Sequence, residues 1–318
     1  MIIWVKRKAI KNKSLPLDIN NTMMRMKFLS ILIVELLMSL QMTAQTTDHV
    51  FKLTKENGHF YFETSVNGVT ATMMFESGVP GLMMSTDFYE AHKDALGMEV
   101  QASNSKIRYL GGMFQIKYTA HARLHIGDAI FEGPVKIVDG ATDIKFPIQM
   151  LHHAQDNSSI VCMDLVKKEL RICSREHLKD LVKDATALDL SFNKWSMPVV
   201  NTQLNINADG QRINLKGNFI ADMGNGSLLF LNKSQVDVVN MLKDGQVKLK
   251  EARDKSGKVV AEGLYANRLT ICDRTYKDVS VGVSTFISLG ECGFLGLKFF
   301  TMPTVFDFDN KKMYLCKD

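Results

Sequence analysis

The residues of this chain best suited to chemistry are two acids on glycine turns. "FESGVPGLMMS" (Phe75 to Ser85) sets Glu76, Ser77 and Gly78 between apolar runs, and "IADMGNGSLLFL" (Ile220 to Leu231) repeats the plan 146 positions later with Asp222, Met223 and Gly224. A turn alone needs no acid. Two carboxyl groups held about 3 Å apart cannot both ionise comfortably, so they share one proton and titrate as a unit. The ionised member can draw a proton from water while the protonated member donates to a carbonyl oxygen. That is general acid–base hydrolysis of an amide with no covalent intermediate. Such a pair requires elements that bring two distant stretches to one place.

The rest of the chain supplies them through a duplication. At an offset of 143–146, "GVPGLMMS" (Gly78 to Ser85) answers "GNGSLLFL" (Gly224 to Leu231), and each is followed by a helix-like segment ending at glycine, "TDFYEAHKDALG" and "NKSQVDVVNMLKDG". "RLHIGDAIFEGPVKIVD" (Arg123 to Asp139) answers "RLTICDRTYKDVSVGVS" (Arg268 to Ser284), and "VCMDLVKKELRIC" (Val161 to Cys173) answers "TVFDFDNKKMYLC" (Thr304 to Cys316). Alternating apolar residues around short polar turns spell hairpins in both pairs. The expected fold is all-β with a few short helices: one unit used twice, each closing much of its sheet on itself as a β-barrel. The lobes are placed at residues 46–180 and 198–318. Between them, residues 181–197 form a connection preceded by a short helix that Ser174 could cap, with Glu176 in its positive first turn. No low-complexity linker separates the lobes, so they should pack as one bilobal body.

The 318 residues are 46% hydrophobic, enough for two ordinary cores. Residues 1–45 hold seven Lys/Arg against Asp18 and Glu35, which accounts for the formal charge of +5 and leaves the remainder neutral. A basic face for nucleic acid is therefore not indicated. "MKFLSILIVELLMSLQMTAQ" (Met26 to Gln45) has a positive start, an apolar run from Phe28 to Leu40 and Ala44 before a polar region, the pattern of a secretory signal. The run falls short of the ~20 residues that span a bilayer, and it contains Glu35, so no permanent span is expected. The mature protein is expected in the periplasm or outside the cell, and as a monomer. Five cysteines (Cys162, Cys173, Cys272, Cys292, Cys316) allow at most two bridges; most are expected as buried thiols, with one bridge open.

The acid turns and the segments behind them resemble the pepsin-like and retroviral-type aspartic peptidases, whose lobes each carry Asp-Thr/Ser-Gly after a strand and then an apolar run. The resemblance spans about residues 50–318. It is strongest in "NFIADMGNGSLLFLN" and "CGFLGLKFFTMPTVFDFDNKKMYL", where Leu295 and Gly296 match a hydrophobic-Gly segment; in the first half "FPIQMLHHAQ" has Leu151 where the repeat predicts glycine. The resemblance implies catalytic roles for Glu76 and Asp222, turn support from Ser77, Gly78 and Gly224, and a peptide laid as an extended strand between the lobes. It also implies a covering flap, here around Leu110, Gly111 and Gly112, and no cofactor or metal.

Two residues depart from that pattern. Glu76 stands where the family has Asp, adding a methylene that shifts the carboxylate by more than an ångström unless the backbone retreats, and a misplacement of about 1 Å can cost ~100-fold. Met223 replaces the hydroxyl residue that ties one turn to the other, leaving Ser77 alone in that role. Two functions stay open: a peptidase with a Glu/Asp pair, or an inactive relative that binds an extended peptide or protein partner in the same cleft.

Other polar residues have plainer roles. Asp164 and Asp307 correspond between halves but sit beside hairpin turns, where Asp bonds to backbone. His121 and His125 could share a strand face but lack a third ligand, and Gly224 and Gly226 in "GNGS" lack the GK[ST] of a phosphate loop.

Overall fold

The computed structural model describes residues 47–318, apart from 110–111, 141–143, 245–246, 287–288 and 318. The secretory leader read over residues 26–45 lies outside the described residues. Thr47–Asp318 forms one compact unit. It is all-β and two-lobed, with α-helices at Thr86–Leu96, Leu178–Leu181 and Val236–Asp244 and isolated turns of 3-10 helix.

Alternation of residue type makes the strands. In Pro198–Ala208, Val200, Thr202, Leu204, Ile206 and Ala208 are buried while Asn201, Gln203 and Asn207 face water, the period of two that a half-buried antiparallel strand requires. Two-residue turns fix several registers. Asn57-Gly58 joins Glu56 to its partner His59, Asn67-Gly68 joins Val66 to Val69, and Asp209-Gly210 joins Ala208 to Gln211. All six turn residues have positive φ, the conformation that matches the twist of a tight hairpin.

Each half then builds the same crossing pattern. In the first, Val69–Glu76 runs parallel to Ile144–Pro147, and Leu82–Ser85 runs parallel to Ala129–Val138. In the second, Gln211–Asp222 runs parallel to Gly293–Gly296, and Leu229–Asn232 parallel to Arg274–Ser284. Each acid is thus the last residue of a strand flanked by a parallel neighbour, a position that only a long crossover can create.

A six-stranded sheet joins the halves. Its strands run in the order His49–Glu56, Glu169–Cys173, Ile160–Asp164, Thr304–Asp307, Lys312–Leu315 and Thr186–Phe192, three from each half. At its centre Cys162 lies opposite Val305, residues that correspond in the repeat, so a local twofold axis passes through this pair. Arg175 clamps the same region, donating 3.1 Å and 3.0 Å bonds to both oxygens of Asp307. Burial alone would push the Asp307 carboxyl up; the bonds from Arg175 and Asn310 hold it below the usual range instead. Removing Arg175 would leave the buried Asp307 carboxylate without its charge partner.

Both halves share one apolar core. Phe62, Phe75, Phe131 and Phe146 from the first and Phe219, Phe299, Phe300 and Phe306 from the second are all buried within it. Helix Thr86–Leu96 starts on Ser85, whose Oγ accepts from Phe88 N, and stops at Gly97 with φ 62°. The glycine expected to end the second helix, Gly245, lies outside the described residues. Ser174 precedes a 3-10 turn at Arg175–His177 but does not cap it, because its hydroxyl donates to Asp156. The connection between halves is itself structured: Thr186–Phe192 is a strand of the joining sheet. All five cysteines are free thiols, so the one bridge left open by the sequence does not form.

Candidate active site

The two acid turns meet. Glu76 is buried, 6% exposed, and the ends of both carboxyl groups reach across to the other half's glycine. A Cβ on Gly78 would stand 2.9 Å from Asp222 Oδ2, and one on Gly224 would stand 2.7 Å from Glu76 Cδ. Any side chain at either glycine would drive the acids apart, so close approach is the reason for both.

Ser77 fastens one turn to the other. Fully buried, its Oγ donates to Ala221 O at 2.6 Å and accepts from Met223 N at 3.1 Å, and the Met223 sulfur lies against it. The thioether of Met223 carries no proton, so its side chain donates no bond in return. Asp222 Oδ1 accepts from Gly224 N at 3.0 Å, and Asn225 N closes the turn onto Asp222 O at 3.2 Å. Burial first, and then the neighbouring Glu76, push the Asp222 carboxyl up to about 7, against the backbone N–H bonds and the Lys145 cation. A carboxyl in that state holds a proton where an ordinary one has lost it. Of the proposed flap residues, Leu110 and Gly111 lie outside the described residues, and Gly112 opens the strand Gly112–Ile126 that pairs back on Lys106–Tyr109.

Two polar side chains here went unread in the sequence. Lys145, on Ile144–Pro147, brings Nζ to 3.4 Å from Glu76 Oε1. Gln149, 7% exposed, donates from Nε2 to Ser77 O and Val79 O, each at 3.2 Å, and approaches Ser196 O at 3.3 Å. The other half holds its turn with backbone donors. There Gly296 stands beside Asp222, Gly296 N donates to Leu228 O at 3.1 Å, and Leu297 N donates to Asn225 O at 2.7 Å. In the first half the residue beside Glu76 is Pro147, not the Leu151 that the repeat had suggested. Proline has no N–H to give. That removes the counterpart of the Gly296 N–H bond, and Gln149 separately supplies a side-chain donor to Val79 O, the counterpart of Asn225 O. The signal that would have found this register is the run apolar-small-apolar-polar-apolar shared by "FPIQM" and "LGLKF".

Asp164 serves its hairpin, accepting from Val166 N and Lys167 N, and Asp307 accepts from Asn310 N besides Arg175. No group of three or more His, Cys, Asp or Glu that could hold a metal ion occurs among the described residues. No helix among them is long and apolar enough to cross a membrane.

No family model matches the sequence, and no curated protein matches it. The structure is similar to that of an aspartic proteinase from Irpex lacteus, with a TM-score of 0.52 and 11% identity, over 85% of this chain and 97% of that one. At that identity the likeness speaks to architecture: the chain has the two-lobed fold of an aspartic proteinase.

Proposed function

We propose that this protein is an exported aspartic-type peptidase in which Glu76 and Asp222 activate water against a peptide bond. The observation that carries the proposal is the mutual seating of each carboxyl on the other half's glycine, with the Asp222 carboxyl raised to about 7. Protonated Asp222 donates to the scissile carbonyl oxygen while ionised Glu76 takes a proton from the attacking water. Ser77, Gly78 and Gly224 keep the turns at the separation this needs, and Met223 fills the space of a second tether. The substrate is a peptide in extended conformation, held between lobes 46–180 and 198–318 and covered by the hairpin around Leu110, Gly111 and Gly112. No cofactor takes part, the partners do not include nucleic acid or a membrane span, and the working form is a monomer outside the cytoplasm.

A second reading is favoured by Met223 and by the extra methylene of Glu76: the cleft binds an extended peptide or protein partner without cutting it. One experiment separates the two. Purified protein is incubated with a peptide library from about pH 3 to about pH 8, beside Glu76→Gln and Asp222→Asn. Peptidase activity is expected to fall as pH rises through about 7, where Asp222 loses its proton, and to vanish in both variants. Peptide retention without cleavage in all three proteins would favour the binder, and cleavage that survives both substitutions would exclude the pair from the mechanism.

A further inference from the structure

The two halves match at the acids but not beside them. Strand register places Lys145 next to Met74 in the first half and Phe294 next to Ile220 in the second, so these two residues occupy equivalent positions, two before the residues facing Glu76 and Asp222. Phe294 packs in an apolar cluster with Ile220, Met197, Val199, Trp195 and Leu289. Lys145 puts a cation 3.4 Å from Glu76 Oε1, with its side chain 27% and that of Glu76 7% exposed. Among the described residues Asp222 has no cation at hydrogen-bond range; its Oδ1 is met by the neutral N–H of Gly224.

The other charges near the site do not cancel this difference. The strand Val69–Glu76 and the turn after it bring only Glu76, and Gly293–Gly296 brings none. In the segment before Pro198, Lys194 is engaged over the Trp195 ring at 4.2 Å. Glu291, which precedes Gly293–Gly296, is buried with its backbone carbonyl bonded to Asn232. The charges that bear on Asp222 are Glu76 and Lys145.

We propose that Lys145 is the positioning residue that assigns the shared proton: it holds Glu76 as the carboxylate, and so leaves Asp222 as the proton-bearing acid. The proposal rests on the peptidase reading for its use, since it names Glu76 as the base toward water and Asp222 as the donor to the carbonyl. A pair of like acids has no built-in preference between its members. One cation placed on one side supplies that preference, and it stabilises the singly protonated form against loss of the base's charge.

The test is a titration, so it does not depend on turnover. Glu and Asp are labelled at the side-chain carboxyl carbon, the two site signals are identified from Glu76→Gln and Asp222→Asn, and their shifts are followed by NMR from about pH 3 to about pH 9 in the wild type, Lys145→Met and Lys145→Arg. In the wild type Asp222 is expected to own the upper step and Glu76 the lower. Loss of the cation in Lys145→Met is expected to move the Glu76 step up by about one pH unit or more, a tenfold gain in proton affinity, and the Asp222 step up by less. Lys145→Arg should restore both. A lower step that belongs to Asp222 overturns the proposal, as do steps unmoved in Lys145→Met. Should Lys145→Met fail to fold, the order of steps in the wild type decides. If peptides are cleaved, both limbs of the kcat/KM profile shift to higher pH in Lys145→Met. If none is cleaved, the peptidase reading falls while the titration still judges the role of Lys145.

Discussion

Asp222 is built to hold a proton at a cost to the folded state. Its carboxyl rises from an ordinary value of 3.8 to about 7, so between those values the folded chain keeps a proton that the unfolded chain has released. The stability this gives is fully present below 3.8 and is lost as pH rises through about 7. Above that, two carboxylates face each other across the turns. Asp222→Asn removes the second charge with little change of shape, and at pH 8 it is expected to stabilise the protein by about 1 kcal/mol or more, a Tm rise of about 2–4 °C. At pH 4 the change should be near zero. Thermal unfolding at the two pH values checks both statements. The acids themselves were legible in the sequence because a carboxylate on a glycine turn, met twice, has no simpler purpose. Lys145 was not, because nothing in "ATDIKFPIQM" says that its strand lies parallel to Val69–Glu76; a contact made through a long crossover leaves no local pattern.

At the level of elements, the parallel strand beside each acid fixes how closely the turn can be held. Gly296 lets the backbone of the second half close against its turn; a Cβ there would sit 2.6 Å from Asn225 O and closer still to Ser227 O. Pro147 lacks the N–H that Gly296 gives, and the side chain of Gln149 adds bonds of its own to the Glu76 turn. A glutamine side chain is a softer tether than a backbone N–H. That softness suits a turn carrying Glu, whose longer arm needs its backbone placed differently from that of an Asp. Gln149→Leu, which leaves the carbonyls of Ser77 and Val79 buried without this donor, is expected to lower stability by about 2–3 kcal/mol. Urea unfolding measures this loss, and an unchanged midpoint would mean that the turn is held by other means. The hairpins and helices were readable from alternation and from glycine stops, since both are written locally. The register of the strand beside Glu76 was not, because the repeat has diverged most where proline entered it.

Across the whole molecule, duplication was the most legible feature and also the one that explains the most. Three blocks that match at a nearly constant offset became two equivalent crossing patterns, and the third block became the middle of the six-stranded sheet. Thr186–Phe192, in the stretch between the lobes, supplies the outer strand of the second half's share of that sheet. That sheet has a further consequence. Its middle pair, Ile160–Asp164 against Thr304–Asp307, joins strands from opposite sides of the exposed stretch at Lys183 and Asp184, where φ is 62° at Asp184. The peptide link there contributes little that the paired strands and the Arg175 clamp do not already provide. Two separately translated polypeptides, 47–183 and 184–318, are therefore expected to find each other and co-purify as a nicked but intact body, and size-exclusion chromatography of the co-expressed pieces would reveal whether the seam or the covalent thread holds this protein together.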